Sequence, residues 1–199
     1  MKTAVACLAA LACFAFASPA AAQFGTVKSP PKTWITGSVG GFLNPGSVPD
    51  GDGVWDFGSA FSGGIGVHRQ IGQGISIGVE GSFAPAKYEL RDASKDVVGK
   101  GNASIVTGLA SARLYTGGTG PVGMYITGGA GVMAYGMKGL DRWDPDLALM
   151  TGAGLEFRPS QRQSLFLEWG KFWTFHQQEG VKNSTINHSQ LRAGVRFGL

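Results

Sequence analysis

Cysteine is nearly missing from this chain. Of 199 residues only Cys7 and Cys13 are cysteines, and both fall within the first 22 positions. Everything after residue 22 is therefore without disulfides, cysteine metal sites and cysteine nucleophiles. Charge is sparse too, at 15% of residues, with a formal net charge of +4 and no basic stripe. That excludes a surface built to hold nucleic acid. Past residue 22 no apolar run reaches the roughly 18 residues that a membrane-crossing helix needs. Nor does a 3.6-residue period persist for more than about two turns. A helical membrane bundle is thus out.

What is abundant points elsewhere. Glycine supplies 33 residues without a Gly-X-Y period, which rules out collagen. The 12 Phe, 5 Trp and 4 Tyr are too many for a disordered chain. The beginning reads as a secretory leader. Met1 and Lys2 form a positive start, Ala4 to Ala17 an apolar run, and Ala20-Ala21-Ala22 a small-residue cleavage site before Gln23. Residues 1–22 are expected to be the signal peptide and 23–32 a short periplasmic tail.

From there the period is two. Eight strands are expected at about 33–43, 56–69, 74–88, 102–116, 121–137, 146–157, 164–175 and 188–199. The connections include short ones such as QIGQ, GGTG and RPSQRQ, and long ones over 44–55, 89–101 and 176–187. Short turns at one end and long loops at the other form the outer-membrane barrel pattern. One face of the second strand carries Phe57, Ser59, Phe61, Gly63, Ile65 and Val67; the other carries Gly58, Ala60, Ser62, Gly64, Gly66 and His68. The last strand sets Leu191, Ala193, Val195, Phe197 and Leu199 against Gln190, Arg192, Gly194, Arg196 and Gly198. A soluble barrel would alternate as well. Three features favour lipid outside: the polar faces are rich in Gly, Ser and Ala, most Lys, Asp and Asn lie in the connections, and aromatics gather at strand ends. The expected interface girdle comprises Trp34, Phe42, Trp55, Phe57, Tyr88, Tyr115, Tyr135, Phe157, Trp169, Trp173 and Phe175.

The segment from Ser189 to Leu199 (SQLRAGVRFGL) resembles the closing strand of small Gram-negative outer-membrane barrels. Tyr125–Val132 and Thr151–Pro159 are similar to strands five and six of the OmpA-like and OmpX-like barrel domains, within the porin-family outer-membrane proteins. The resemblance covers about 33–199. It implies that Leu191, Ala193, Val195, Phe197 and Leu199 form the strand read by the barrel assembly machinery, with Leu199 where phenylalanine is usual. It also implies a cell-surface protein in the outer membrane, surrounded by lipid and lipopolysaccharide.

The lumen of an eight-stranded barrel is about filled by side chains. Six charges take lumen parity: Glu80, Glu156 and Glu168 against Arg113, Arg192 and Arg196. Unpaired charge in so narrow a space is disfavoured. Pairs Glu80–Arg113 and Glu168–Arg192 or Glu168–Arg196 are expected, with Glu156 near the second group. Other constellations are weaker. His188-Ser189 with His176 and Glu179 could suggest a deacylase, but adjacent strand residues face opposite sides. Asp50, Asp52 and Asp56 cluster in the first loop, where a solvated loop and a cation bridge to lipopolysaccharide are both open. The mixed charges of Glu89 to Asn102 suit a solvated loop or a partner surface. Lys171 interrupts the apolar face of Leu165, Leu167, Trp169 and Trp173, either as an interface anchor or reaching lipid phosphates.

The expected fold is all-β, an eight-stranded antiparallel up-and-down transmembrane barrel. The expected role is non-catalytic: structural, or a surface interaction with an envelope or host ligand through the loops, as a monomer and without cofactors or metal. The alternatives are a lipid A-modifying barrel enzyme and a narrow small-solute channel.

Overall fold

The computed structural model describes residues 32–43, 46–50, 53–116, 121–137, 142–176 and 184–199. The expected signal peptide and all but the last residue of the expected tail lie outside the described residues. Among those described, every regular element is a strand. They are β1 (Thr33–Leu43), β2 (Ser47–Asp50), β3 (Gly53–Phe57), β4 (Ala60–Gly72), β5 (Ile75–Arg91), β6 (Val97–Thr116), β7 (Val122–Met137), β8 (Arg142–Ser160), β9 (Gln163–His176) and β10 (Ser184–Gly198).

Eight of these close an antiparallel barrel. β1 pairs with both β4 and β10, and β5 pairs with β4 and β6, so the sheet has no free edge around the wall. Closure is what lets a backbone lie in lipid, because every peptide group finds a neighbour. A path from Thr33 through its successive partners Arg69, Ile77, Ala112, Gly128, Thr151, Lys171 and Ser189 returns to β1 at Leu43, ten residues on. With strands about 4.8 Å apart and a rise of about 3.3 Å per residue, this stagger tilts the strands by about 40°. Each residue then adds about 2.5 Å of height along the barrel axis.

The outer face is an apolar belt. Ile65 is 77% exposed, Val79 62%, Leu147 58% and Phe61 53%. On β9 the belt runs from Leu165 to Phe175, about 25 Å of height, which matches the apolar band of transmembrane barrels. So large a continuous apolar surface cannot face water. The opposite parity is buried along the middle of β4, β6 and β10. Both the closure and the belt give one expected result. Unboiled protein in mild detergent should migrate differently from boiled protein on a gel; identical mobility would mean that the wall is not closed.

The connections depart from expectation in a way that matters for the lumen. The first long loop contains the β2–β3 hairpin, whose second strand pairs with β5 through Phe57↔Tyr88 and Val54↔Arg91. The second long loop is mostly strand, since β5 and β6 stay paired as far as Arg91↔Val97. The chain breaks its period at Gly58-Ser59, between β3 and β4. Phe57 therefore does not share the lipid face of Phe61 and Ile65. It is buried, at 6% exposure.

Candidate functional site

Period-two alternation on β5, β6, β8, β9 and β10 points the six expected charged side chains inward, and all six are buried; Asp146 on β8, not singled out from the sequence, is buried on the same face. Four of the six form a ring of alternating sign. Arg113 Nη2 lies 3.3 Å from Glu80 and 3.7 Å from Glu168. On the other side Arg192 donates to Glu168 through Nε at 2.8 Å and to Glu80 through Nη2 at 3.0 Å. Each charge thus has two neighbours of opposite sign. The remaining two, Arg196 and Glu156, pair with each other nearer the end with short turns.

Tyr125 joins the two groups. Its hydroxyl donates to Glu168 at 2.7 Å and accepts from Arg196 Nη2 at 2.9 Å. Its ring carries Arg113 at 5.6 Å and Arg196 at 4.9 Å from the centroid. Arg196 also lies over Phe166 at 4.2 Å. Desolvating six charges is costly, and an ion pair repays that only with good geometry and further hydrogen bonds. The alternating ring, the bridging hydroxyl and the cation–π contacts supply much of this, although Nε and Nη1 of Arg113 and Nε of Arg196 have no hydrogen-bond partner among the described residues.

Above the ionic groups, toward the end with long loops, lies a polar girdle: Gln190 donates to Ser62 at 3.2 Å, and Ser82 meets Thr107 at 2.7 Å. Beyond that aromatic and aliphatic side chains predominate, with Asp146, Thr174 and His188 buried among them. Phe42 packs on Phe172 at 5.9 Å and edge-on to His188 at 6.5 Å. Phe57, brought in by the loop hairpin, packs on Tyr135 at 5.3 Å. Ile105, Met133, Met150 and Ile186 fill around them, each no more than 3% exposed.

This layer corrects the girdle expectation. Phe42, Trp55, Phe57 and Tyr135 are interior, not interfacial. Trp169 and Phe157 do face outward, 47% exposed each. The reason is parity: Phe42 shares a face with Thr36 and Gly40, and Tyr135 with Met133, so closeness to a strand end does not place an aromatic in lipid. Counting parity onward from Glu168 through Gly170 to Phe172 would have found the apolar layer from the sequence.

The model for the "Outer membrane protein beta-barrel domain" matches residues 6–197. The chain belongs to this outer-membrane β-barrel family. Neisserial surface protein A superposes with a TM-score of 0.64 at 13% identity, over 86% of this chain and all of that one. OprG from Pseudomonas aeruginosa superposes at 0.54 and 11% identity, over 85% of this chain and 97% of its own. At such identities the likeness concerns the fold. No curated protein sequence matches the chain.

Within this family member the remaining candidates fall as follows. His188 faces the lumen against Tyr135, whereas Ser189 next to it faces the outer wall, so the two do not form a nucleophile–base pair. Glu179 and the His176 side chain lie outside the described residues. Asp56 accepts from Ser47 and binds Arg91 Nε at 2.7 Å; the side chains of Asp50 and Asp52 lie outside the described residues. Glu89 joins Arg91 at 2.9 Å and Lys100 at 2.7 Å within the second hairpin, and Arg91 in turn ties that hairpin to the first through Asp56. Among the described residues no cluster of metal-ligating side chains occurs. Leu191 and Phe197 lie outward on β10, 44% and 49% exposed, with Ala193 and Val195 partly exposed between them, and Leu199, just past the strand, is 71% exposed.

Proposed function

We propose that the protein is a non-catalytic outer-membrane barrel that acts through its surface loops and through envelope integrity, with a lumen closed to solutes. The carrying observation is the double filling of the lumen, an alternating charge ring with an aromatic layer above it. Water-filled continuity is what a pore requires, and an eight-stranded wall leaves little room for it. In this reading residues 1–22 are removed on export, and the short-turn end with both barrel termini faces the periplasm. The apolar face of β10, from Leu191 to Leu199, engages the assembly machinery, and the barrel stands as a monomer. The paired hairpins of the first two long loops, fastened by Asp56, Arg91, Glu89 and Lys100, form a rigid outer platform for an envelope or host partner.

Enzymatic modification of lipid A is disfavoured because His188 and Ser189 point to opposite sides of the wall. A deletion strain tests the reading. Its lipid A mass profile should be unchanged, while its permeability to large apolar antibiotics or its surface adhesion should change. A lipid A species that disappears on deletion and returns with the wild-type gene would make the protein an enzyme.

A further inference from the structure

Lys171 is a charged side chain set deep in the lipid-facing belt. It lies eight residues above the start of β9, about 20 Å from the short-turn end and below the upper limit of the belt. Along its own strand it sits between Trp169 and Trp173. Its amine is turned toward the loop end, 5.7 Å over the Trp173 ring. Among the described residues no carboxylate pairs with it. A lysine near the middle of a barrel's lipid face costs about 2–4 kcal/mol and much less near an interface, so something must offset its depth.

The lateral partners of Lys171 are both hydroxyls, Thr151 on β8 and Ser189 on β10. From Ser189 the outward positions of β10 continue as Asn187 and Thr185, which are exposed. Their partners on β9 are Trp173 and Phe175. A polar track therefore descends through the apolar belt from the loop end and stops at the cation. Snorkelling alone explains the upward turn of the lysine but not a row of hydroxyl and amide groups beside it.

We propose that this track is a binding site for a phosphorylated glycolipid of the outer leaflet, of the lipopolysaccharide type. Lys171 takes the phosphate, and Ser189, Asn187 and Thr185 take sugar hydroxyls above it. A charge-assisted bond from an ammonium to phosphate is strong where water is excluded. The length of the track favours a sugar headgroup over a simple phosphodiester. The proposal rests on the outward orientation of the loop end, but not on closure of the lumen.

Native mass spectrometry of the purified barrel in nonionic detergent tests it, with three probes: hexa-acylated lipopolysaccharide core lipid, its dephosphorylated form, and phosphatidylglycerol. Wild type and Lys171→Arg should retain the phosphorylated glycolipid, and Lys171→Met should retain it about tenfold less, the loss of one charged hydrogen bond. Asn187→Leu should weaken the same lipid while leaving the lysine in place. The heat-dependent gel shift, measured alongside, establishes that each variant is folded. The dephosphorylated lipid should show no dependence on residue 171. Equal retention by wild type and Lys171→Met would overturn the site. Retention of phosphatidylglycerol as strong as that of the glycolipid would overturn the glycolipid assignment. Either failure would leave the closed-lumen reading intact, because that is read from conductance.

Discussion

Replacing Glu168 by alanine should destabilise the barrel by about 3–5 kcal/mol, the cost of breaking a buried ion pair from one side. Glu168 meets Arg192, Arg113 and Tyr125. Its removal leaves two arginines facing one glutamate inside a narrow, poorly hydrated space. Replacing Glu168 and Arg192 together by methionine should cost less than the single change. The ring then shrinks to the neutral pair Glu80–Arg113, and apolar side chains of similar volume often substitute for a buried pair at little cost. Urea unfolding of the barrel in vesicles, followed by the gel shift, measures both. A single-site loss below about 1 kcal/mol would mean that the ring is hydrated and its pairing loose.

Gly154→Val should be about as damaging, for a different reason. Tyr125 and Gly154 are directly paired across β7 and β8. A Cβ at Gly154 would fall 2.3 Å from Tyr125 Cζ and 2.5 Å from its hydroxyl oxygen. The ring cannot swing aside without leaving Glu168 and Arg196. Overpacking of about 1–3 kcal/mol adds to the lost bonds to charged groups, about 1.5–3 kcal/mol each. By contrast Gly63, on the outer face, has nothing within 4 Å of an added Cβ. Gly63→Val should be neutral or slightly stabilising, since a β-branched residue suits a strand. In a Tyr125→Ala background the Gly154→Val cost should largely vanish. If it persists, the glycine is required for some reason other than the ring above it.

The same geometry recurs at three further glycines. His68 lies over Gly78, Phe166 over Gly194 and Tyr88 over Gly101, each ring covering the glycine directly paired with it. Aromatic cover of a cross-strand glycine restores packing that the glycine lacks, and it registers the strands.

Much of this architecture is legible in the sequence because a barrel's wall is periodic. Ile75, Ile77 and Val79 alternate with Ser76, Gly78 and Glu80, and a period of two leaves one way to place them. Charges on lumen parity were legible for the same reason. What escaped is what parity does not encode. The one-residue break at Gly58-Ser59 moves Phe57 to the inside, and neither residue announces a bulge. The strand character of Glu89–Arg91 and Val97–Asn102 comes from the continued pairing of β5 with β6, with β3 added beside Glu89–Arg91, and this pairing overrides their charged composition. The partner of Glu156 was legible only as a neighbourhood, because the choice between Arg192 and Arg196 depends on the stagger around the barrel.

Planar-bilayer recording of the purified, refolded wild-type protein tests the closed lumen most directly. The ionic ring and the aromatic layer around Phe42 and Phe172 together predict a silent baseline, without steady conductance across the voltage range. A large, steady, voltage-independent conductance from protein that shows the folded gel mobility would contradict the account.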